Sequence, residues 1–497
     1  MSGELRPYQA TAIDLVWRAM AEGRRRPILM MATGAGKTKT AAEIIKRALS
    51  KGKRVVMTVP AKELIDQTVQ ALWNERIRDA GVIQADHPMT DYSRPVQVAS
   101  VQTLSRRKLP DTDLVIVDEA HRAYRIIFQW MQQCPNLPFI GLSATPWTRG
   151  LGKHYDDLII AATTQQLIRE GYLSPFRVFA PSHPDLTGVR TVAGDYAEDD
   201  LAEAMDKPAL TADVVATWLK LGENRPTLCF AVNRAHARSL ERDFQRAGVA
   251  VGYIDGDTER PERDAVRKAF ERGDISVVVN VGVLTTGVDW DVRCLILARP
   301  TKSEMLYVQI IGRALRTAPG KADAIILDHS DTTLKLGFVT DIHHDRLSDG
   351  NERKASASSR PERPAPKPKE CPSCSYVKPA GVRKCPSCGF EPHYAKDVAM
   401  KQGELAHLGG KQVKATMEDK QRWYSMLLYR AQESGYKKGW AANQYREKFG
   451  VWPQGLNENF TTRPDREVQN WITSKLIAFV KAKKRTEKAG EGAHHVA

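Results

Sequence analysis

The sequence predicts an α/β protein with two tandem parallel-sheet lobes, followed by a four-cysteine metal module and a small helical C-terminal region. Three observations carry this: a glycine turn between an apolar run and a helix at Met31-Ala-Thr-Gly-Ala-Gly-Lys-Thr38, paired acids closing an apolar run at Asp118-Glu-Ala-His121, and spaced arginines at Gln309-Ile-Ile-Gly-Arg313-Ala-Leu-Arg316. Their order and separation suit two similar lobes that share one site. The expected ranges are 1–165 and 176–340 for the lobes, 351–370 for a flexible linker, 371–391 for the metal module and 417–485 for a basic, aromatic-rich helical region.

Ile28 to Met31 is short and apolar, as a buried strand requires, and Lys37-Thr38 opens a helix continuing to Lys46. Gly34 and Gly36 free the turn between them. The residues Thr33, Gly34, Ala35, Gly36, Lys37 and Thr38 would then present backbone N–H groups, a helix N-terminus and an ammonium to phosphate, with the Thr38 hydroxyl on magnesium. The strict phosphate-loop pattern has Gly where this chain has Met31. A chance glycine turn is the competing reading, and the rest of the chain argues against it.

Leu114-Val-Ile-Val117 is a second apolar run, ending in Asp118 and Glu119. Ligands of open α/β sheets collect at the carboxyl ends of strands, so both acids are expected beside Lys37. Asp118 would hold magnesium, and Glu119 would orient and deprotonate an attacking water. The bland alternative makes them caps of the next helix. For Arg313 and Arg316 the alternative is an exposed basic helix; for Gln9 it is an ordinary surface residue.

With these motifs the chain resembles superfamily 2 helicases and translocases, the DEAD/DEAH-box group in the broad sense, built on two RecA-like lobes. The likeness runs from Leu5 to about Asp328. Arg6-Pro-Tyr-Gln9 resembles the adenine-reading motif, and Val59-Pro-Ala-Lys-Glu-Leu64 and Ser100-Val-Gln-Thr-Leu104 resemble nucleic-acid contacts. Ser143-Ala-Thr-Pro146 resembles the coupling motif, Thr227-Leu-Cys-Phe-Ala231 the second lobe's first strand, and Val279 to Asp289 a motif touching nucleic acid and ribose. The resemblance implies that Arg313 and Arg316 reach the γ-phosphate, that Asp289 bonds the ribose, and that Gln309 pairs with His121 between the lobes. ATP and Mg2+ are the implied substrate and cofactor.

Of seven cysteines, Cys134, Cys229 and Cys294 are scattered and read as reduced, buried thiols. The other four form two matching knuckles, Cys371-Pro-Ser-Cys374 and Cys385-Pro-Ser-Cys388. That spacing suits one tetrahedral Zn2+, which would fold a segment too short to bury its own core. A redox dithiol pair is the alternative, but no thioredoxin-like unit is predicted around it. The stretch from Asn351 to Glu370 is rich in Pro, Ser and charge, so it reads as a tether that leaves the zinc module mobile.

Beyond Thr416, helices are predicted from Met417 to Glu433 and from Trp440 to Phe449. A last amphipathic segment, Trp471 to Phe479, leads into Lys481-Ala-Lys-Lys-Arg485. Trp423, Tyr436, Trp440, Tyr445, Phe449 and Trp452 crowd this unit. With Lys437, Lys438, Arg446 and Lys448 beside them, these aromatics suit either base stacking or, more plainly, a small core with a solvated basic face.

The chain carries +15 formal charges, of which residues 342–497 supply +12. A nearly neutral pair of lobes followed by a basic tail points to nucleic acid as partner, with salt-sensitive attraction from the tail. No apolar stretch approaches the ~20 residues of a membrane span, and no secretory signal opens the chain, so a cytoplasmic site in a bacterial or phage-infected cell is expected. The Leu173-Ser-Pro175 junction, the knuckles, Gly435-Tyr-Lys-Lys-Gly-Trp-Ala-Ala and Tyr445-Arg-Glu-Lys-Phe-Gly-Val-Trp-Pro453 resemble bacterial RadD-type DNA repair proteins or phage relatives. That resemblance implies DNA repair or recombination, with single-strand-binding protein and recombinase as partners. An RNA helicase, and an adaptor that uses ATP only as a switch, remain as other readings. A restriction-enzyme motor subunit is disfavoured, since no nuclease motif is found.

Overall fold

The computed structural model describes residues 4–84, 87–285, 289–350, 367–392, 416–437, 439–473 and 475. It divides into two compact units, Met1–Tyr394 and Ala395–Ala497.

In the first unit, runs of Val, Ile and Leu become strands because a parallel sheet covered on both faces buries every side chain along the run. The first lobe contains β1 (Pro27–Met31), β2 (Val55–Val59), β3 (Ala80–Ile83), β4 (Val96–Ser100), β5 (Leu114–Asp118), β6 (Phe139–Ser143) and β7 (Asp157–Ala162). They pair in parallel in the order β3-β4-β2-β5-β6-β1-β7. Because β5, β6 and β1 are neighbours, the loops after Asp118, Ser143 and Met31 emerge side by side.

The second lobe opens with β8 (Phe176–Phe179) and a small hairpin of β9 (Thr191–Val192) and β10 (Asp195–Tyr196). Its sheet is completed by β11 (Thr227–Phe230), β12 (Val251–Ile254), β13 (Val277–Asn280), β14 (Cys294–Leu297) and β15 (Ala324–Asp328). The order is β12-β13-β11-β14-β15-β8, all parallel. The strand expected to be this lobe's first, Thr227–Phe230, is therefore central, and β8 precedes it at the sheet edge. Four residues including Arg177, only half-buried at their start, carry too little periodicity to be seen as a strand.

After the short helix Thr332–Leu336 the chain returns to the first lobe. Gly152 N–H donates to the Ser348 carbonyl at 2.8 Å, the Arg149 guanidinium donates to the Gly350 carbonyl at 2.7 Å, and the His344 ring lies 4.7 Å from that of Trp147. Leu347 packs into the first lobe's core. Residues 341–350 thus strap one lobe to the other.

The cysteine knuckles are not free. β16 (Lys369–Glu370) and β17 (Val377–Lys378) form an antiparallel pair. Ala180 N–H donates to the Ser375 carbonyl at 2.9 Å, and Tyr376 bridges Phe179 with ring centroids 5.6 Å apart. His183 lies between Asp331 at 2.6 Å and Glu370 at 2.8 Å. The expectation of a mobile module is corrected here: its backbone extends the exposed edge of β8, which needs no apolar run to pair. The end of the expected linker, Lys367–Glu370, belongs to this docked segment, and Lys367 donates to the Lys335 carbonyl. Residues 351–366 lie outside the described residues.

In the second unit, the helix Met417–Glu433 begins with a Thr416–Asp419 capping box and packs on the helix Gly439–Phe449. Residues 466–473 are also helical. Trp423, Leu427, Tyr445, Val468 and Ile472 form the core, while Lys448 lies over Trp423 at 4.3 Å and Arg446 over the exposed Trp452 at 4.7 Å. Most of the aromatics are thus packed as a core. Lys438, residues 476–479 and Lys481 to Arg485 fall outside the described residues. Among the described residues, no helix is long and apolar enough to cross a membrane.

Candidate nucleotide cleft between the lobes

A glycine-rich turn leaves β1 and enters the helix Lys37–Leu49. Gly36, its N-cap, has φ +82°, and a Cβ there would lie 2.4 Å from the Gln9 amide nitrogen, so both conformation and space demand glycine. Gln9 is buried and holds the loop: its Nε2 donates to the Ala35 carbonyl at 3.0 Å, and its Oε1 accepts from Arg6 N–H at 2.9 Å. The Tyr8 hydroxyl donates to the same Ala35 carbonyl at 2.7 Å. The Gln9 amide is thus turned to the phosphate loop in this arrangement. Arg6 faces the cleft instead, its guanidinium 4.8 Å from the Tyr172 ring centroid.

β5 delivers Asp118 and Glu119 to the same place. Glu119 sits at φ +48° and Ala123 at φ +51°, so both ends of the turn Ala120–Arg122 are left-handed without glycine. Such positions cost of order 1–3 kcal/mol each and persist only where the surroundings hold them. Lys37 Nζ lies 3.8 Å from Glu119 Oε1, and Glu119 N–H donates to Asp118 Oδ1 at 3.0 Å. Burial, then the neighbouring Glu119 charge, raise the Asp118 carboxyl above its usual range. Burial also works to raise Glu119, but Lys37, the His121 contact and Arg313 outweigh it and hold Glu119 ionised. Glu119 Oε2 is buried without a hydrogen-bond partner, and His121 Nδ1 lies 3.3 Å from it.

The second lobe supplies the opposite wall through the helix Glu304–Ala314. Gln309 Nε2 lies 3.1 Å from His121 Nε2 and donates to Thr145 Oγ1 at 3.1 Å, while His121 Nδ1 meets Ser143 Oγ at 3.0 Å. A chain of hydrogen bonds from Gln309 to Ser143 thus joins the lobes at the cleft. Gly312 sits against the phosphate loop, where a Cβ would come 2.6 Å from that of Thr33. Arg313 is buried, and its Nε donates to the Thr285 carbonyl at 3.0 Å. Burial, then the charge of Arg316, push Arg313 down to about 9, still cationic at neutral pH; an anion nearby would relieve that stress. Arg316 pairs with Asp289.

Arg6, Thr33, Gly34, Gly36, Lys37, Thr38, Asp118, Glu119, Asp289, Arg313 and Arg316 all line this one cleft. Cations face each other across it and the two acids sit at its floor, an arrangement suited to a polyphosphate with a divalent cation. Residues Thr286 to Val288 of the second-lobe motif lie outside the described residues. Tyr172 gained no site role from the sequence, because only its position against Arg6 gives it one.

In the docked module, the Sγ atoms of Cys371, Cys374, Cys385 and Cys388 lie within 4.8 Å of one another. The Cys371–Cys388 and Cys374–Cys385 separations are both 3.7 Å. A tetrahedron with ~2.3 Å zinc–sulfur bonds has edges of about 3.8 Å, so the four thiols fit zinc. Cys229 and Cys294 are buried as expected, whereas Cys134 is only half-buried.

Two parallel-sheet lobes facing each other across such a cleft define a two-lobed nucleotide-driven ATPase. Residues 2–148 match the family described as type III restriction enzyme, res subunit, and residues 208–318 match the helicase conserved C-terminal domain. The chain belongs to superfamily 2 of helicases and translocases, an ATP-hydrolysing class. Among curated relatives it is 28% identical to a 51.5 kDa protein of Lactococcus phage (isolate 7-9), covering 84% of this chain and 87% of that one. It is 30% identical to a Saccharomyces cerevisiae protein described as the ATP-dependent helicase IRC3, covering 65% of this chain and 51% of that one. The chain thus spans most of the phage relative but about half of the yeast one. Its fold resembles the fragment of an HsdR subunit of a type I restriction enzyme from Vibrio vulnificus YJ016, with TM-score 0.53, 22% identity, and coverage of 67% of this chain and 65% of that one.

Proposed function

We propose that the protein is a DNA-dependent ATPase that translocates along or opens DNA in repair or recombination. The observation that carries this reading is the convergence of Lys37, Thr38, Asp118 and Glu119 from one lobe and Arg313, Arg316 and Asp289 from the other on a single cleft. Phosphoryl transfer gains chiefly from positioning and charge stabilisation, which such a cleft supplies only when both lobes are present.

In this reading, the loop N–H groups and Lys37 hold the β- and γ-phosphates, and Arg6 and Tyr172 flank the base. Thr38 and Asp118 hold Mg2+, which supplies charge neutralisation when bound. The donor set fits: both side chains offer hard oxygens, and the two adjacent buried acids repel each other until a cation joins them. Glu119 Oε2, buried and unpartnered, accepts a proton from the water that attacks the γ-phosphorus as the bond to ADP breaks. Arg313 stabilises the charge that develops. Arg316 exchanges Asp289 for phosphate, freeing Asp289 for the ribose. Gln9 acts one step back, by holding the loop.

DNA is favoured over RNA because the first-lobe family is named for a restriction subunit. The resemblance to RadD-type proteins carries repair, single-strand-binding protein and recombinase. Zn2+ on the four cysteines braces the second lobe's edge. The test is ATP hydrolysis by the intact chain with single-stranded DNA, duplex DNA, RNA and no nucleic acid. Stimulation by DNA above RNA is expected. Stronger stimulation by RNA would replace DNA with RNA as substrate, and a rate that no nucleic acid changes would overturn the motor reading.

A further inference from the structure

Arg316 lies just beyond the helix Glu304–Ala314, where the last carbonyls of a helix have no partner within it. Here those carbonyls are met from outside. The Lys321 ammonium donates to the carbonyls of Ala314 at 2.6 Å, Arg316 at 2.6 Å and Val292 at 2.7 Å. All three of its donors are thereby spent on backbone oxygens. Ser174, in the junction between the lobes, meets the same turn: its N–H donates to the Leu315 carbonyl at 2.7 Å and its hydroxyl to the Arg316 carbonyl at 3.2 Å.

Lys321 is held in this place against a cost. Burial lowers its ammonium to about 8, although it stays mostly charged at neutral pH. The three carbonyls offset that cost by accepting charge-assisted hydrogen bonds.

Arg316 is correspondingly well placed. A Cβ on Gly34 of the phosphate loop would lie 3.0 Å from Arg316 Cγ and 3.2 Å from Leu173, the neighbour of Ser174. The Arg316 guanidinium pairs with Asp289, while its Nε is buried without a hydrogen-bond partner. Val292, whose carbonyl Lys321 also binds, follows Asp289 closely in the chain. One ammonium thus ties the backbone of Arg316 to the segment that carries its ion-pair partner.

From this we propose that Lys321 is a positioning residue for Arg316, fixing its backbone together with Ser174 while the guanidinium exchanges Asp289 for the γ-phosphate. The inference rests on the motor reading, in which Arg316 contacts phosphate. Without the clamp, the helix end shifts and the guanidinium meets the transition state poorly. ATP binding changes little, because the phosphate loop and Lys37 supply it from the other lobe.

The test measures kcat and KM for ATP hydrolysis by the full chain with saturating single-stranded oligodeoxythymidylate, alongside melting temperature. The variants are Lys321→Met and Ser174→Ala, each alone and combined with Arg316→Ala. Lys321→Met keeps an unbranched side chain but removes its donors, and kcat should fall by about 10- to 10²-fold, the usual sensitivity to misplacement near 1 Å. KM should stay within about twofold, since the lost interaction is made in the transition state. Ser174→Ala keeps the bond to Leu315 and loses one neutral hydrogen bond, so kcat should fall about threefold. In the Arg316→Ala background either substitution should cost less than about twofold, because residues acting as a unit are not additive. A purely structural lysine would lower the rate by the same factor with or without Arg316. That result, or an unchanged kcat in Lys321→Met, would overturn the proposal while the motor reading stands. Should Lys321→Met melt below the assay temperature, Ser174→Ala and its double variant decide by the same two outcomes. Full hydrolysis by Arg316→Ala alone would instead remove the phosphate contact on which the inference rests.

Discussion

At the residue scale, the buried pair Asp118 and Glu119 is split by its neighbours. Lys37, His121 and Arg313 hold Glu119 down, and Asp118 is left raised by burial and by the charge next to it. A carboxyl raised on folding contributes stability below its unfolded value near 3.9, and that contribution is lost as pH rises through the folded value. In metal-free buffer Asp118 should therefore destabilise the fold at neutral and higher pH. Asp118→Asn, a neutral isostere, should raise the melting temperature at pH 8 by about 2–4 °C, the shift of ~1 kcal/mol in a domain of this size, with little change at pH 4. A lower melting temperature for the variant at pH 8 would show that the acid is stabilised by partners instead. The sequence made both acids visible, since two carboxylates closing an apolar run mark the end of a parallel strand. Their unequal titration was not visible, because it depends on burial and on how near Lys37 and His121 come to Glu119 in the folded chain.

At the element scale, the clearest departure from the sequence concerns the four-cysteine module. Four cysteines at knuckle spacing make a clustered set of thiols visible without any structure. The pairing of Tyr376 and Ser375 with β8 leaves no such trace, because backbone hydrogen bonds at a sheet edge set no side-chain pattern. The strap from 341 to 350 was hidden for a related reason: its contacts to Arg149 and Gly152 run mainly through carbonyls. If zinc holds the module in shape, its removal should release the edge of β8. Amide hydrogen exchange at residues 176–183 should then speed up by about tenfold or more when a chelator is added, the effect of losing ~1.4 kcal/mol of local protection, while β11 and β13 at the sheet centre stay protected. Unchanged exchange at 176–183 would mean that the module stays docked without metal.

At the scale of the whole molecule, each lobe holds half a site. The first offers a phosphate loop and two acids; the second offers the guanidinium groups, brought in by a helix whose Gly312 lets it sit against Thr33. The two-lobe plan was legible because each half carries its own short pattern, while the contact between halves was legible only through family resemblance, as with Gln309 and His121. If the second lobe completes the site, Arg313→Ala should bind ATP nearly as well as the native chain and hydrolyse it far more slowly. The most direct measurement is single-turnover ATP hydrolysis by this variant with saturating single-stranded DNA. A loss of about 10³-fold or more, the usual contribution of an arginine finger, is the predicted result. Hydrolysis within a few-fold of the native rate would contradict the account, because one lobe would then suffice.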